Sequence, residues 1–340
     1  MAMTDPNPIR FREGEMLPGR LELPYSINTG GWSNLVIPIA TVANGDGPTV
    51  LLLGGNHGDE HESELILMDL ISSLDPSTVT GRLIIVPRLS IEASNADTRL
   101  WPDGTNLNRV FPGSPTGTIQ ERIAHLLSTV LFPMSDVVMD LHSGGRGTRF
   151  VPMAHMRLVS DRAQRRAMLE AMLAFNTDLH MLYSDVTGVG LLVAEAEHQG
   201  KLVVSTELGG GGIVSKESIG VGRRGLLNCL RHLGALTGTV ETRASLGLPP
   251  AVLASAIEEH HYARAPISGM VEPCVEPGDR VAAGDVVARL YRPEEPHRPP
   301  EPIVAEVTGV VCGIRPLAVT RQGDVVTVIG EEVTPESLLD

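Results

Sequence analysis

LLLGGNHGDEHESE, residues 51–64, passes from a run of leucines through a Gly-Gly break into a dense cluster of His and acidic residues. A strand buried on both faces reads as an unbroken apolar run, and Thr49–Leu53 fits that description. Behind it, ESELILMDLISSL (62–74) places Leu65, Leu67, Met68, Leu70 and Ile71 around a mostly buried helix. Strand, glycine turn and helix in that order are the unit of an α/β sheet, which takes ligands in the crevice beyond the carboxyl ends of its strands. His57 and Glu60 fall at that place. Three residues apart, they can face one point from the first turn of the helix. An imidazole nitrogen with a carboxylate oxygen is a zinc-compatible pair.

The same grammar repeats downstream. Leu35–Val42, Arg82–Val86, Val137–Leu141 and Leu202–Glu207 are apolar runs suited to buried strands. Thr118–Leu131, Arg162–Thr177 and Gly222–Leu236 have helical period, the first opened by Thr118 and Glu121 in capping-box spacing. The expected fold is α/β, a mixed sheet flanked by helices over residues 35–245, behind an irregular or β-rich arm at 1–34. After residue 246 the pattern changes. LGLPPAV (246–252) opens a linker running to 264, and residues 265–340 hold short β-branched runs split by turns. They predict a small C-terminal all-β barrel-sandwich domain. Its Pro- and Glu-rich hairpin, RPEEPHRPPEP (292–302), reads as an exposed loop.

A catalytic zinc takes three protein ligands and keeps one position open. The third ligand is His142, which follows the apolar run VVMDL (137–141), and Asp140 can fix its imidazole from behind. LVVST (202–206) delivers Glu207 to the same edge of the sheet, where a carboxylate suits a general base acting on metal-bound water. The four glycines at 209–212 would let backbone approach a ligand. TRLWPDGTNLNRVFPG (98–113) is turn-rich. It offers Asn108 and Arg109 for fork-like recognition of a carboxylate, and Arg99 to stabilise a developing oxyanion. HGDEH also satisfies the inverted-zincin pattern, in which His57 and His61 bind the metal and Glu60 is the base. That alternative leaves His142 and Glu207 without a role.

Composition narrows the function classes. A net charge of −14 and 3% aromatic residues speak against a nucleic-acid partner. The cysteines, Cys229, Cys274 and Cys312, form no CxxC pair and point to a reducing compartment. The first residues have no signal-like apolar stretch, and no run reaches ~18 apolar residues, so a cytoplasmic location without a membrane partner is expected.

NHGDE (56–60), NLNRVFPG (106–113), DLHSGG (140–145) and ELGGGG (207–212), in this order, resemble the succinylglutamate desuccinylase/aspartoacylase family of zinc carboxypeptidase-like hydrolases. The resemblance implies one zinc ion per chain on His57, Glu60 and His142, with Glu207 as base and proton shuttle. It implies a small N-acyl amino acid as substrate, its carboxylate on Asn108 and Arg109 and its carbonyl polarised by Arg99. The spacing from Arg99 to Asn108 departs from the family's shorter pattern. Within the family, the loops are most similar to those of deacetylases acting on Nα-acetyl-L-2,4-diaminobutyrate in ectoine breakdown. That implies removal of an acetyl group. Succinylglutamate or another acylated amino acid, a small-peptide carboxypeptidase and a non-catalytic zinc-binding protein are the alternatives. The C-terminal segment also resembles lipoyl and biotinyl carriers. Those modify a hairpin lysine, and the only lysines here are Lys201 and Lys216, away from that hairpin. A lid, or a contact in a homo-oligomer, is the role expected for it.

Overall fold

The computed structural model describes residues 9–27, 30–184 and 189–339. Of the expected N-terminal arm, residues 1–8, 28 and 29 lie outside that range. Of the remainder, 9–15 is irregular apart from a single bridge at Glu13, and the rest is β-structure. Strands β1 (Met16–Ile27) and β2 (Gly30–Ala43) pair antiparallel. Leu21, Leu23, Leu35, Ile37 and Ile39 alternate inward along them, the period of a half-buried strand. The strand expected from Leu35 therefore starts earlier, because its outer half shows one polar face to solvent.

The apolar runs form the centre of the sheet. β3 (Thr49–Leu53), β4 (Arg82–Val86), β5 (Val137–His142) and β9 (Leu202–Glu207) are parallel neighbours. Their carboxyl ends therefore meet along one edge. Between β5 and β9 in sequence lie β6 (Arg149–Phe150), β7 (Met153–Arg157) and β8 (Leu179–Tyr183). β7 runs antiparallel to β9 and parallel to β8, which makes the sheet mixed. The helices are α1 (His61–Ser73), α2 (Ile91–Ala96), α3 (Ile119–Leu126), α4 (Arg162–Ala174), α5 (Leu192–His198) and α6 (Lys216–His232). α1 packs on β3, β4 and β5, α4 on β7 and β9, α5 on β5 and β9, and α6 bridges α1 and α4. The Thr118/Glu121 capping box forms as expected, but the helix it opens widens into a π turn at Leu127–Leu131.

The C-terminal part corrects two expectations. Within the expected linker, Val252–Ala256 is a strand, β10, parallel to β8. It also pairs with β18 (Val325–Glu332), so the large sheet runs on into the C-terminal segment. The intervening strands are β11 (Tyr262–Arg264), β12 (Gly269–Pro273), β13 (Arg280–Val281), β14 (Val286–Tyr291), β15 (Glu301–Val304), β16 (Gly309–Ile314) and β17 (Val319–Thr320). β12, β14, β15 and β17 make a separate antiparallel sheet, whereas β11, β13, β16 and β18 belong to the large one. Val271, Val287, Leu290 and Ile303 of the first meet Val281, Val311, Val326 and Ile329 of the second in a core of their own. Two sheets face each other there, and one is shared with the N-terminal half. Among the described residues, no helix is long and apolar enough to cross a membrane.

Candidate active site

His57 and Glu60 lie in the turn between β3 and α1, and Glu60 is the N-cap residue of the helix. They are not on its first turn, as the three-residue spacing suggested. The turn is possible because Gly58 lets it press onto α2: a Cβ there would stand 2.1 Å from the carbonyl carbon of Ala93. His61, the first residue of α1, faces away and pairs through Nε2 with Asp97 Oδ1 at 3.0 Å. That geometry removes the inverted-zincin arrangement, since the two histidines of HGDEH do not converge.

Strand register supplies the rest. Side chains two apart on a strand share a face, as do residues directly opposite on neighbouring strands. Asp140 lies opposite Ser205 and His142 opposite Glu207, while His155 on β7 lies opposite both Ser205 and Met181. Asp140, His142, Glu207, His155 and Met181 therefore stand on one face of the sheet. His57 and Glu60 reach it from the end of the neighbouring β3.

One ligand atom from each of His57, Glu60 and His142 lies within 4.8 Å of the other two. All three residues are buried. His142 Nδ1 faces Glu60 Oε2 at 2.7 Å, while its Nε2 lies 2.8 Å from Asp140 Oδ2. The same Asp140 oxygen accepts from Asn56 Nδ2 at 3.0 Å. This carboxylate behind the imidazole is the support a metal-binding histidine needs, and it leaves Nδ1 turned to the site. His57 Nδ1 is buried with no hydrogen-bond partner. Burial first, then the Arg99 guanidinium and His142, hold His57 well below its ordinary pKa. It is thus a neutral imidazole with a lone pair to offer. Burial opposes charge on His142 too, but Asp140 and Glu60 outweigh it and raise its pKa well above the usual value. Two nitrogens, one carboxylate and an orphaned buried lone pair fit a divalent cation of zinc type.

Glu207 stands beside this group with its Oε2 unpartnered. Burial, and next the Glu60 carboxylate, push its pKa up to about 8. Arg99 NH1 donates to Glu60 Oε1 at 2.9 Å. Its loop is anchored by buried Trp101, whose indole N–H donates to Ser90 Oγ at 3.1 Å, and that hydroxyl donates to the Asn56 carbonyl. Asn108 Oδ1 accepts from the Leu192 N–H at 2.8 Å, so its NH2 end is the part left to donate. Arg109 NH1 donates to the Asn108 carbonyl at 2.6 Å.

All seven expected site residues line one cleft of ≈ 220 Å³. The cleft also has walls that sequence reasoning missed, Phe150, His155 and Met181, with Tyr262 and Val328 from the C-terminal part, and Tyr183, Ser184 and Leu191 from a segment, 182–197, that the sequence offers for selectivity without singling out a residue. None carried a local signal beyond an apolar strand. The glycines at 209–212 do not line it. A Cβ on Gly210 would meet Thr148 O at 2.5 Å and the Gly144 backbone at 2.7 Å, so these glycines let one loop pack on the next rather than admit a ligand. A second group, His260, His261 and Glu331, also brings ligand atoms within 4.8 Å. There, however, His261 is already satisfied, by the Glu258 backbone at 3.0 Å and by Glu331 at 3.2 Å.

A mixed sheet that delivers His, Glu and His to one buried edge defines a class, and comparison with known proteins agrees. The model of the succinylglutamate desuccinylase/aspartoacylase catalytic domain matches residues 46–233, and the chain belongs to that family. Over 316 residues it is 39% identical to the N-alpha-acetyl-L-2,4-diaminobutyric acid deacetylase of Halomonas elongata, covering 93% of this chain and 91% of that one. It is similar to the product-bound ectoine utilization protein EutE (DoeB) of Ruegeria pomeroyi, with a TM-score of 0.90, 36% identity, and 96% and 99% of the two chains covered. A succinylglutamate desuccinylase/aspartoacylase from Rhodobacter sphaeroides gives a TM-score of 0.89 at 35% identity, over 95% and 97%.

Proposed function

We propose that the protein is a zinc-dependent amidohydrolase that removes the acetyl group from Nα-acetyl-L-2,4-diaminobutyrate. The observation that carries this reading is the meeting of His57, Glu60 and His142 beside the unpartnered carboxylate of Glu207, in one cleft. The substrate follows from the name of the Halomonas elongata relative. His57, Glu60 and His142 would hold the ion. The ion would supply Lewis acidity, which would lower the pKa of water in the cleft and that of a neighbouring carboxyl.

The chain's own groups do the rest. Glu207 takes the proton of the attacking water and returns it to the leaving amine nitrogen, the double duty of a general base and acid. Arg99, beside Glu60, shares the negative charge that develops on the acyl oxygen. Arg109 and the NH2 end of Asn108 hold the substrate carboxylate and so fix the amide against Glu207. Asp140 and Asn56 keep the His142 ring in one tautomer.

The test is release of the newly freed amino group by the zinc-loaded chain from a panel of acylated amino acids and dipeptides. Nα-acetyl-L-2,4-diaminobutyrate should give the highest kcat/KM, above N-acetylaspartate, N-succinylglutamate, the Nγ-acetyl isomer and dipeptides. A preference for dipeptides would make the protein a peptidase.

A further inference from the structure

Buried polar groups are almost always hydrogen-bonded, and one that is not calls for an explanation. His155 is 5% exposed and lines the cleft; the Thr206 backbone can engage at most one of its ring nitrogens, which leaves the other without a protein partner. Its ring is nonetheless held firmly, edge-to-face against Tyr183 with centroids 4.7 Å apart at 87°. Packing that fixes an imidazole while leaving a ring nitrogen unused is an arrangement for a visitor.

The cleft also says which part of a visitor. The Arg109 guanidinium, from the turn-rich loop at 98–113, lines the same cleft and draws a carboxylate. An ammonium group on the same small molecule needs an acceptor that carries no positive charge. His155 stands on the sheet floor opposite Ser205, two residues along the strand from the Glu207 row, roughly 7 Å away. That separation suits the short aminoethyl arm of a 2,4-diamino acid whose amide lies against Glu207. Burial first, and then His142, hold the ring down to a pKa of about 3, so it stays neutral and offers one acceptor nitrogen without repelling a cation. The carboxylates of Asp140 and Glu207 on the same face add a favourable field.

We propose that His155 receives the free ammonium group of the substrate and selects diamino acids over their monoamino counterparts. This rests on the amidohydrolase reading above and adds the residue that makes the site specific. His155 is a binding residue here and takes no part in the proton transfers of Glu207.

The experiment compares kcat/KM for Nα-acetyl-L-2,4-diaminobutyrate and Nα-acetyl-L-2-aminobutyrate, which lacks only the amine, in the unaltered zinc-loaded chain, His155→Phe and His155→Gln. The ratio between the two substrates should fall about 10- to 100-fold in His155→Phe, with the loss in KM for the diamino substrate. His155→Gln, which keeps an acceptor oxygen, should recover most of it. A folded His155→Phe with an unchanged ratio overturns the proposal. In the unaltered chain, titration with the two deacetylated products while following the ring ¹⁵N resonances of His155 reads the contact without any substitution. A shift with 2,4-diaminobutyrate and none with 2-aminobutyrate supports the assignment, and equal responses overturn it. Failure of the amidohydrolase reading would appear separately, as no turnover of either acetylated compound by the unaltered chain.

Discussion

Asp140 and Glu207 are carboxylates on adjacent strands, yet their surroundings give them different tasks. Asp140 Oδ2 is committed to Asn56 and His142, which makes it a support. Glu207 Oε2 has no protein partner, and burial and Glu60 push its pKa up to about 8, which suits it to the proton transfers proposed for it. Glu207→Gln keeps the shape and removes the basicity. It should lower kcat about 10²- to 10⁴-fold while the zinc content, read by elemental analysis, stays at that of the unaltered chain. Retained activity would assign the proton transfers elsewhere. At this scale the sequence was most legible where a buried run stops at a polar residue: His142 and Glu207 end their strands, and the end of an apolar run has few structural reasons to carry them. His155 was illegible for the converse reason. Inside MAHMR it is a lone histidine in an apolar strand, and only the sheet register shows that it faces the cleft.

Elements decide how closely such residues can meet. The turn carrying His57 and Glu60 rests on α2 through Gly58, and any side chain there must displace the backbone around Ala93. Gly58→Ala should cost about 1–3 kcal/mol in chemical denaturation and weaken zinc binding, because the ligand-bearing turn must lift. Unchanged stability and zinc affinity would show that the contact is not tight. The central strands and α1, α4 and α6 were readable because each carries a long, regular apolar pattern. β7, β8 and β10 were not. They are five-residue strands, and β7 and β8 each carry a histidine, so their patterns are too short or too broken to separate from loops. β10 showed a further limit: LGLPPAV looks like a linker, and only its pairing with β8 and β18 makes the residues after it a strand.

Across the whole molecule, the sheet that starts at the β1–β2 hairpin continues through β10 into β18, which brings Tyr262 and Val328 to the wall of the cleft. A composition break at residue 246 suggested two units; hydrogen bonds between distant strands tie them into one sheet, and no local pattern reports that. A pH signature follows from the same burial. His180, inaccessible on the opposite face from His155, has its pKa lowered to about 4 by burial above all. The unfolded chain takes up this proton below about pH 6.5 while the folded one does not, so stability is full above that pH and is lost as pH falls from there towards 4. The loss amounts to about 3 kcal/mol, and denaturation of His180→Leu at pH 7 and pH 4.5 should show a flatter dependence than the unaltered chain. An equal slope would place the acid sensitivity elsewhere. The proposed chemistry depends on three separated segments closing on one ion, and anomalous diffraction at the zinc edge from zinc-loaded crystals measures that directly. It should give one strong peak within bonding distance of His57, Glu60 and His142, whereas a peak only at His260, His261 and Glu331, or none in the cleft, would contradict it.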